Sequence, residues 1–163
     1  LMSARTLTLL RHGDALPAAA GAEDYHRPLS ARGRDDIQRL LARCLDLKID
    51  VDWIYASPAQ RTQASAKPFK EAWNCTSADN PELYLADEYH LFDILRQTPP
   101  DIAHVFMVGH NPGMSNLASQ LSRPQNPMAL PTAGLVSFTT TAEWVDLRPQ
   151  CARLTFQLYP ADY

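Results

Sequence analysis

Short apolar runs alternate with stretches of helical periodicity along the chain, a pattern that predicts strands interleaved with helices. The run TLTLL at 6–10 reads as a first buried strand, and the Ala-, Gly- and Pro-containing segment 15–29 as a loop. After Ser30, a residue type that caps helix starts, Ile37, Leu40, Leu41, Cys44 and Leu45 recur at helical spacing and predict a helix to about Leu47. VDWIYAS at 51–57 predicts a second strand. SPAQRTQAS at 57–65 opens a second helix, with Ser57 as its cap, Pro58 in the first helical position and Gln60 completing a capping box. That helix is expected to reach about Trp73, kinked or interrupted at Pro68.

A third short strand is expected over PELYLA at 81–86, followed by a helix from Tyr89 to Gln97 with Leu91, Phe92 and Leu95 facing inward. HVFMVGHNPG at 104–113 reads as a buried strand and a turn, with Pro112 starting a fourth helix to about Leu121. GLVSFTTT at 134–141 and RLTFQLY at 153–159 show partial alternation and predict an antiparallel pair or sheet edge. The expected fold class is α/β, a three-layer α/β/α sandwich with a mostly parallel central sheet and an antiparallel edge. No repeat or linker interrupts 1–163, which reads as one domain, and the Pro-rich stretch Arg123–Pro131 is expected to be an ordered surface loop.

A chain of 163 residues can bury a core without disulfides or metals. Its 45% apolar and 20% charged content matches soluble proteins, and no apolar run approaches the roughly 20 residues of a membrane span, so no membrane partner is expected. The start, LMSARTLTLLRHG, has one Arg before a short apolar run and no small-residue cleavage site, so it reads as a strand rather than a signal peptide. Cys44, Cys75 and Cys151 are odd in number and lack paired spacing, which points to a reducing, cytoplasmic setting, with Cys44 in the core. A net charge of −3 argues against a nucleic-acid partner, so any cationic site is local.

Such a site is suggested at three strand ends. Arg11 and His12 follow the first strand, Arg61 lies in the first turn of the helix after the second, and His110 follows VFMVG. Ligands of open α/β sheets bind beyond the carboxyl ends of strands, where these groups can converge. Two guanidiniums and two imidazoles in one cleft suit a tetrahedral oxyanion, best a phosphoryl group. Arg61 adds weight because a cation in a helix's first turn opposes the macrodipole unless an anion lies nearby. Taken singly, each residue is ordinary surface polarity, and Gly13 and Gly113 read as turn glycines, Gly13 letting the chain turn sharply after the first strand. His26 and His90 are expected at the surface and His104 at the start of a strand; none has a zinc-helix partner, and no metal is expected. No Cys precedes an Arg by six positions, DVDWI at 50–54 is a poor aspartyl-phosphatase motif, and no Gly-rich Lys loop is present.

LLRHGDA at 9–15, RPLSARG at 27–33, SPAQRTQAS at 57–65, VGHNPGMSNLASQL at 108–121 and LPTAGLVSF at 130–138 together resemble the histidine phosphatase superfamily, the phosphoglycerate mutase-like proteins. Within it they are most similar to the small SixA-like phosphohistidine phosphatases. The resemblance implies a phosphoglycerate mutase-like fold and a phosphatase without metal or other cofactor. His12 would be the nucleophile, carrying the phosphoryl group as a covalent intermediate. Its other nitrogen is expected to donate to a backbone carbonyl. Arg11, Arg61 and a protonated His110 would hold the phosphoryl oxygens, and water would then release phosphate.

Larger members use a mid-chain carboxylate to protonate an alkoxide leaving group. Here Glu82, Asp87 and Glu88 are candidates without a matching motif, while Asp14 is expected to orient the loop after His12. Arg27 is read either as a further phosphate or substrate contact or as a loop salt bridge. Imidazole, with a conjugate-acid pKa near ~6.5, leaves more easily than an alkoxide and tolerates a missing acid. The expected partner is therefore a phosphorylated protein, such as a histidine phosphotransfer domain, on an open site without a lid. A small phosphate ester is the alternative substrate, and a non-catalytic phosphate-binding adaptor is the alternative of another class.

Overall fold

A computed structural model of the chain describes residues 3–123 and 127–163. Its strands are β1 (Arg5–Arg11), β2 (Trp53–Ala56), β3 (Thr76–Asp79), β4 (His104–Gly109), β5 (Leu135–Thr140) and β6 (Arg153–Leu158). Its helices are α1 (Ala31–Asp46), α2 (Gln60–Trp73), α3 (Glu88–Arg96) and α4 (Gly113–Leu121). The strands form one sheet in the order β3-β2-β4-β1-β5-β6. β1, β2, β3 and β4 pair in parallel, while β5 pairs antiparallel with both β1 and β6. This is the mostly parallel sheet with an antiparallel edge that the alternation of runs predicts.

Strand side chains alternate between two faces, so each central strand feeds two cores. Leu10, Ile54, Phe106 and Val108 pack with Ile37, Leu40 and Cys44 of α1 and with Ala66 and Phe69 of α2. Leu7, Leu9, Tyr55, Val105 and Met107 pack on the opposite face with residues of α3 and α4. Three layers result, and β1 and β4 are buried from both sides. Among the described residues no helix is long and apolar enough to cross a membrane.

Several elements depart from the sequence reading. The third strand is Thr76–Asp79, largely exposed at the sheet edge, whereas Pro81–Leu83 forms a 3-10 turn whose Leu83 packs into the core beside α3. The apolar signal of PELYLA therefore reports core packing rather than strand pairing. α2 begins at Gln60 with Ala59 at its cap position, so the Ser57 capping box does not form. It continues past Pro68 to Trp73. α3 and α4 begin within one residue of expectation, and Leu91, Phe92 and Leu95 are buried. Ser30 caps α1, accepting from the Gly33 N–H at 3.0 Å. Segment 15–29 is closed by a bridge between Ala15 and Leu29 and carries a 3-10 turn at Asp24–His26. Residues 124–126 of the expected surface loop lie outside the described residues.

Candidate active site

The sheet delivers the strand-end residues to one place. Arg11 closes β1 in register with Gly109 of β4, so His12 and His110, each next in sequence, leave adjacent strands together. The backbone around them is held on both sides. The His12 N–H donates to Gly109 O, the Arg11 N–H to Gly134 O, and the Ala133 N–H to the carbonyls of Arg11 and His12. Just after β2, the next strand beyond β4, the Ser57 N–H donates to Val108 O and the chain turns into α2. Arg61 is thereby brought from the first turn of α2 to the two imidazoles.

Glycine at position 13 serves proximity rather than turning, because the residue does not adopt positive φ. A Cβ on Gly13 would lie 3.0 Å from the carbonyl oxygen of Gly33, and one on Gly33 would lie 2.1 Å from that of Asp14. The loop after β1 thus rests directly on the start of α1. Asp14 reinforces this contact, accepting from Ser30 Oγ at 2.6 Å and pairing with Arg32 at 2.9 Å. It orients the loop, as its position in sequence suggests.

The hydrogen bonds settle both imidazole tautomers. His12 Nδ1 lies 2.7 Å from Gly13 O, an atom that can only accept, so Nδ1 carries the proton and Nε2 keeps its lone pair. Arg61 Nε donates to that Nε2 at 3.3 Å. The other end of the guanidinium donates from Nη2 to His110 Nδ1 at 3.3 Å, and His110 donates from Nε2 to Ser57 Oγ at 2.8 Å. Burial, with Arg61, Arg11 and Arg27 adding to it against the Gly13 hydrogen bond, lowers His12 to about 4. His110 falls to about 3, through burial first and then the charges of His12 and Arg61. Both rings are neutral near pH 7.

The cleft measures about 340 Å³, and its lining includes Arg11, His12, Asp24, Arg27, Arg61 and His110. Arg11 donates from Nη1 to Leu130 O, while its buried Nε has no hydrogen-bond partner among the described residues. Arg27 lines the cleft and also pairs with Asp24 at 3.2 Å. The carboxylate candidates lie elsewhere. Asp87 caps α3 and bonds the His90 ring, Glu88 accepts from Asn116, and exposed Glu82 sits on the 3-10 turn; none lines the cleft. Among the described residues no three His, Cys, Asp or Glu side chains group as a metal-ion site.

Sequence reasoning did not single out Asp24 or Tyr84. Asp24 Oδ2 accepts from Arg61 Nη2 at 3.0 Å and from the Tyr84 hydroxyl at 2.5 Å, while its carbonyl accepts from Arg61 Nη1 at 2.9 Å. The Tyr84 hydrogen bond, followed by those from Arg27 and Arg61, lowers this carboxylate to about 2. The one signal was indirect: an arginine in a helix's first turn calls for an anion nearby. Within the chain that anion is Asp24.

Residues 7–106 match the family model of the histidine phosphatase superfamily, branch 1. The chain belongs to the histidine phosphatase superfamily. It is accordingly a phosphatase, and the clustered residues 11, 12, 61 and 110 lie on a superfamily fold. Over 136 residues it is 29% identical to phosphohistidine phosphatase SixA of Escherichia coli (strain K12), a match covering 80% of this chain and 83% of that protein. A solved structure assigned to phosphohistidine phosphatase SixA of Nakamurella multipartitia superposes with a TM-score of 0.86 at 24% identity, over 97% of each chain. The protein histidine phosphatase SixA complexed with tungstate superposes with a TM-score of 0.81 at 22% identity, covering 96% of this chain and 98% of that one. The phosphoglycerate mutase-like fold is thereby established for this histidine phosphatase.

Proposed function

We propose that this histidine phosphatase removes the phosphoryl group from phosphohistidine on a partner protein, in the cytoplasm, with His12 as the nucleophile. The observation that carries the reading is the pinned His12 ring. Its Nδ1–H is committed to Gly13 O and its Nε2 lone pair lines an open cationic cleft. The lowered value of about 4 keeps that nitrogen unprotonated at neutral pH, its lone pair engaged by Arg61 Nε at 3.3 Å until phosphorus takes that place.

In the first step the Nε2 lone pair attacks phosphorus while the P–N bond to the substrate ring, protonated at its other nitrogen, breaks, and that ring leaves with the electron pair as neutral imidazole. In the second, water attacks phosphohistidine 12, the P–Nε2 bond breaks, and orthophosphate and neutral His12 are restored after a proton passes to solvent. Arg11, Arg27, Arg61 and His110 surround the phosphoryl oxygens and stabilise the charge they carry in both transition states. The unpartnered Arg11 Nε is a buried donor that such an oxygen satisfies. Negative charge bound there also favours protonation of His110, which makes it a charged donor beside the three arginines.

Two features support phosphohistidine over an ester. The acidic candidates at 82, 87 and 88 stand outside the cleft, and an imidazole leaving group tolerates the lack of an acid better than an alkoxide does. A cleft of about 340 Å³ is at the small end for sites enclosing a whole metabolite, and it suits a phosphoryl group displayed on a protein surface. The test is turnover of a phosphohistidine-bearing phosphotransfer protein beside a panel of small phosphate esters, using the unaltered chain and His12→Ala. Phosphohistidine turnover that needs His12 is expected. Turnover of esters alone would overturn the substrate assignment, and no turnover of either would leave a phosphate-binding adaptor.

A further inference from the structure

We propose that Asp24 is a resident anion of the phosphate site: its carboxylate holds Arg61 and Arg27 while the cleft is empty, and it weakens phosphate binding so that product leaves. The inference rests on the site proposed above, whichever phosphoryl compound it hydrolyses.

The cleft concentrates three guanidiniums, those of Arg11, Arg27 and Arg61. Asp24 touches two of them, pairing with Arg27 through Oδ1 and with Arg61 through Oδ2. Arg61 itself is almost wholly buried, at 3% exposure, in the first turn of α2 where the helix dipole disfavours it. An unpaired buried guanidinium is costly, so the empty site needs a counter-anion. Asp24 supplies it by two routes, its backbone carbonyl to Nη1 and its carboxylate to Nη2. This grip leaves Nε on His12 and the remaining reach of Nη2 on His110. The guanidinium is thus aimed before substrate arrives.

The carboxylate is positioned in turn by the Tyr84 hydroxyl, whose ring packs edge-on to His110 at 5.4 Å between centroids. Its side chain remains 44% exposed, so it can swing from Arg61 without unpacking the core. A phosphoryl group entering the cleft adds negative charge to the same arginines and is repelled by Asp24. Four or more cationic or donor groups without that repulsion would bind orthophosphate tightly and stay occupied after hydrolysis. With it, binding energy is reduced equally for substrate and product phosphate, and turnover gains from faster release.

The test is orthophosphate binding to the unaltered chain and to Asp24→Asn, by calorimetry at fixed ionic strength, together with kcat and KM on a turned-over phosphoryl substrate. Asp24→Asn is expected to bind orthophosphate about twofold to fivefold tighter, the range for a half-exposed ion pair, with KM and kcat both falling. Unchanged or weaker orthophosphate binding in a folded variant overturns the proposal, since a purely structural role for Asp24 predicts that result. Asp24→Ser, smaller and also uncharged, provides the same comparison if the Asn variant does not fold. Absence of turnover in the unaltered chain would count against the catalytic reading while leaving the binding comparison intact.

Discussion

Arg61 Nε lies 3.3 Å from His12 Nε2, a contact between residues 49 positions apart that joins the end of β1 to the start of α2. Because the same guanidinium also reaches His110 Nδ1 and Asp24, it organises the site rather than only contributing charge. A lysine has one compact ammonium and no planar fork, so it cannot reproduce these contacts. Arg61→Lys is expected to lower kcat by about 100-fold or more, with a smaller change in KM, in steady-state assays.

The backbone contact between Gly13 and Gly33 positions His12 by close approach. Gly33→Ala puts a methyl group 2.1 Å from Asp14 O, with backbone rather than a movable side chain in the way. Either α1 or the loop after His12 must shift. A loss of about 1–3 kcal/mol in denaturant unfolding is expected, accompanied by a fall in kcat.

The buried histidines make stability depend on pH with a definite sign. Burial lowers His12 from 6.5 to about 4 and His110 to about 3 in the folded chain. Between about 6.5 and about 4 the unfolded chain therefore binds protons that the native chain refuses, and stability rises with pH through this window before levelling above it. For His12 alone the difference is on the order of 3 kcal/mol. Thermal unfolding at low salt should show Tm falling as pH drops from 7 to 4, with a shallower fall in His110→Gln.

Most of the frame could be read from the chain because its signals are periodic. TLTLL and VFMVG are apolar runs buried on both faces, and Ile37, Leu40 and Cys44 keep helical spacing along α1. The positions of Arg11, His12, Arg61 and His110 followed from strand ends, which a parallel sheet aligns. β3 was misplaced because the exposed edge segment TSAD has no apolar rhythm, whereas the following turn carries Leu83 into the core. Asp24 and Tyr84 sit in or beside short 3-10 turns where spacing carries no information, and they meet 60 residues apart only through the tertiary fold. Ser57 looked like a helix cap from its neighbours in sequence; its hydroxyl instead accepts from His110.

The geometry of His12 makes one claim that chemistry can check atom by atom. With Nδ1 committed to Gly13 O, only Nε2 is available to phosphorus. Rapid quenching in base during turnover of a phosphohistidine protein, followed by mass spectrometry and phosphorus NMR of the isolated peptide, should find an acid-labile phosphoryl group on His12 Nε2, absent from His12→Ala. A phosphoryl group on Nδ1 or on another residue, or turnover that persists in His12→Ala, would contradict the account.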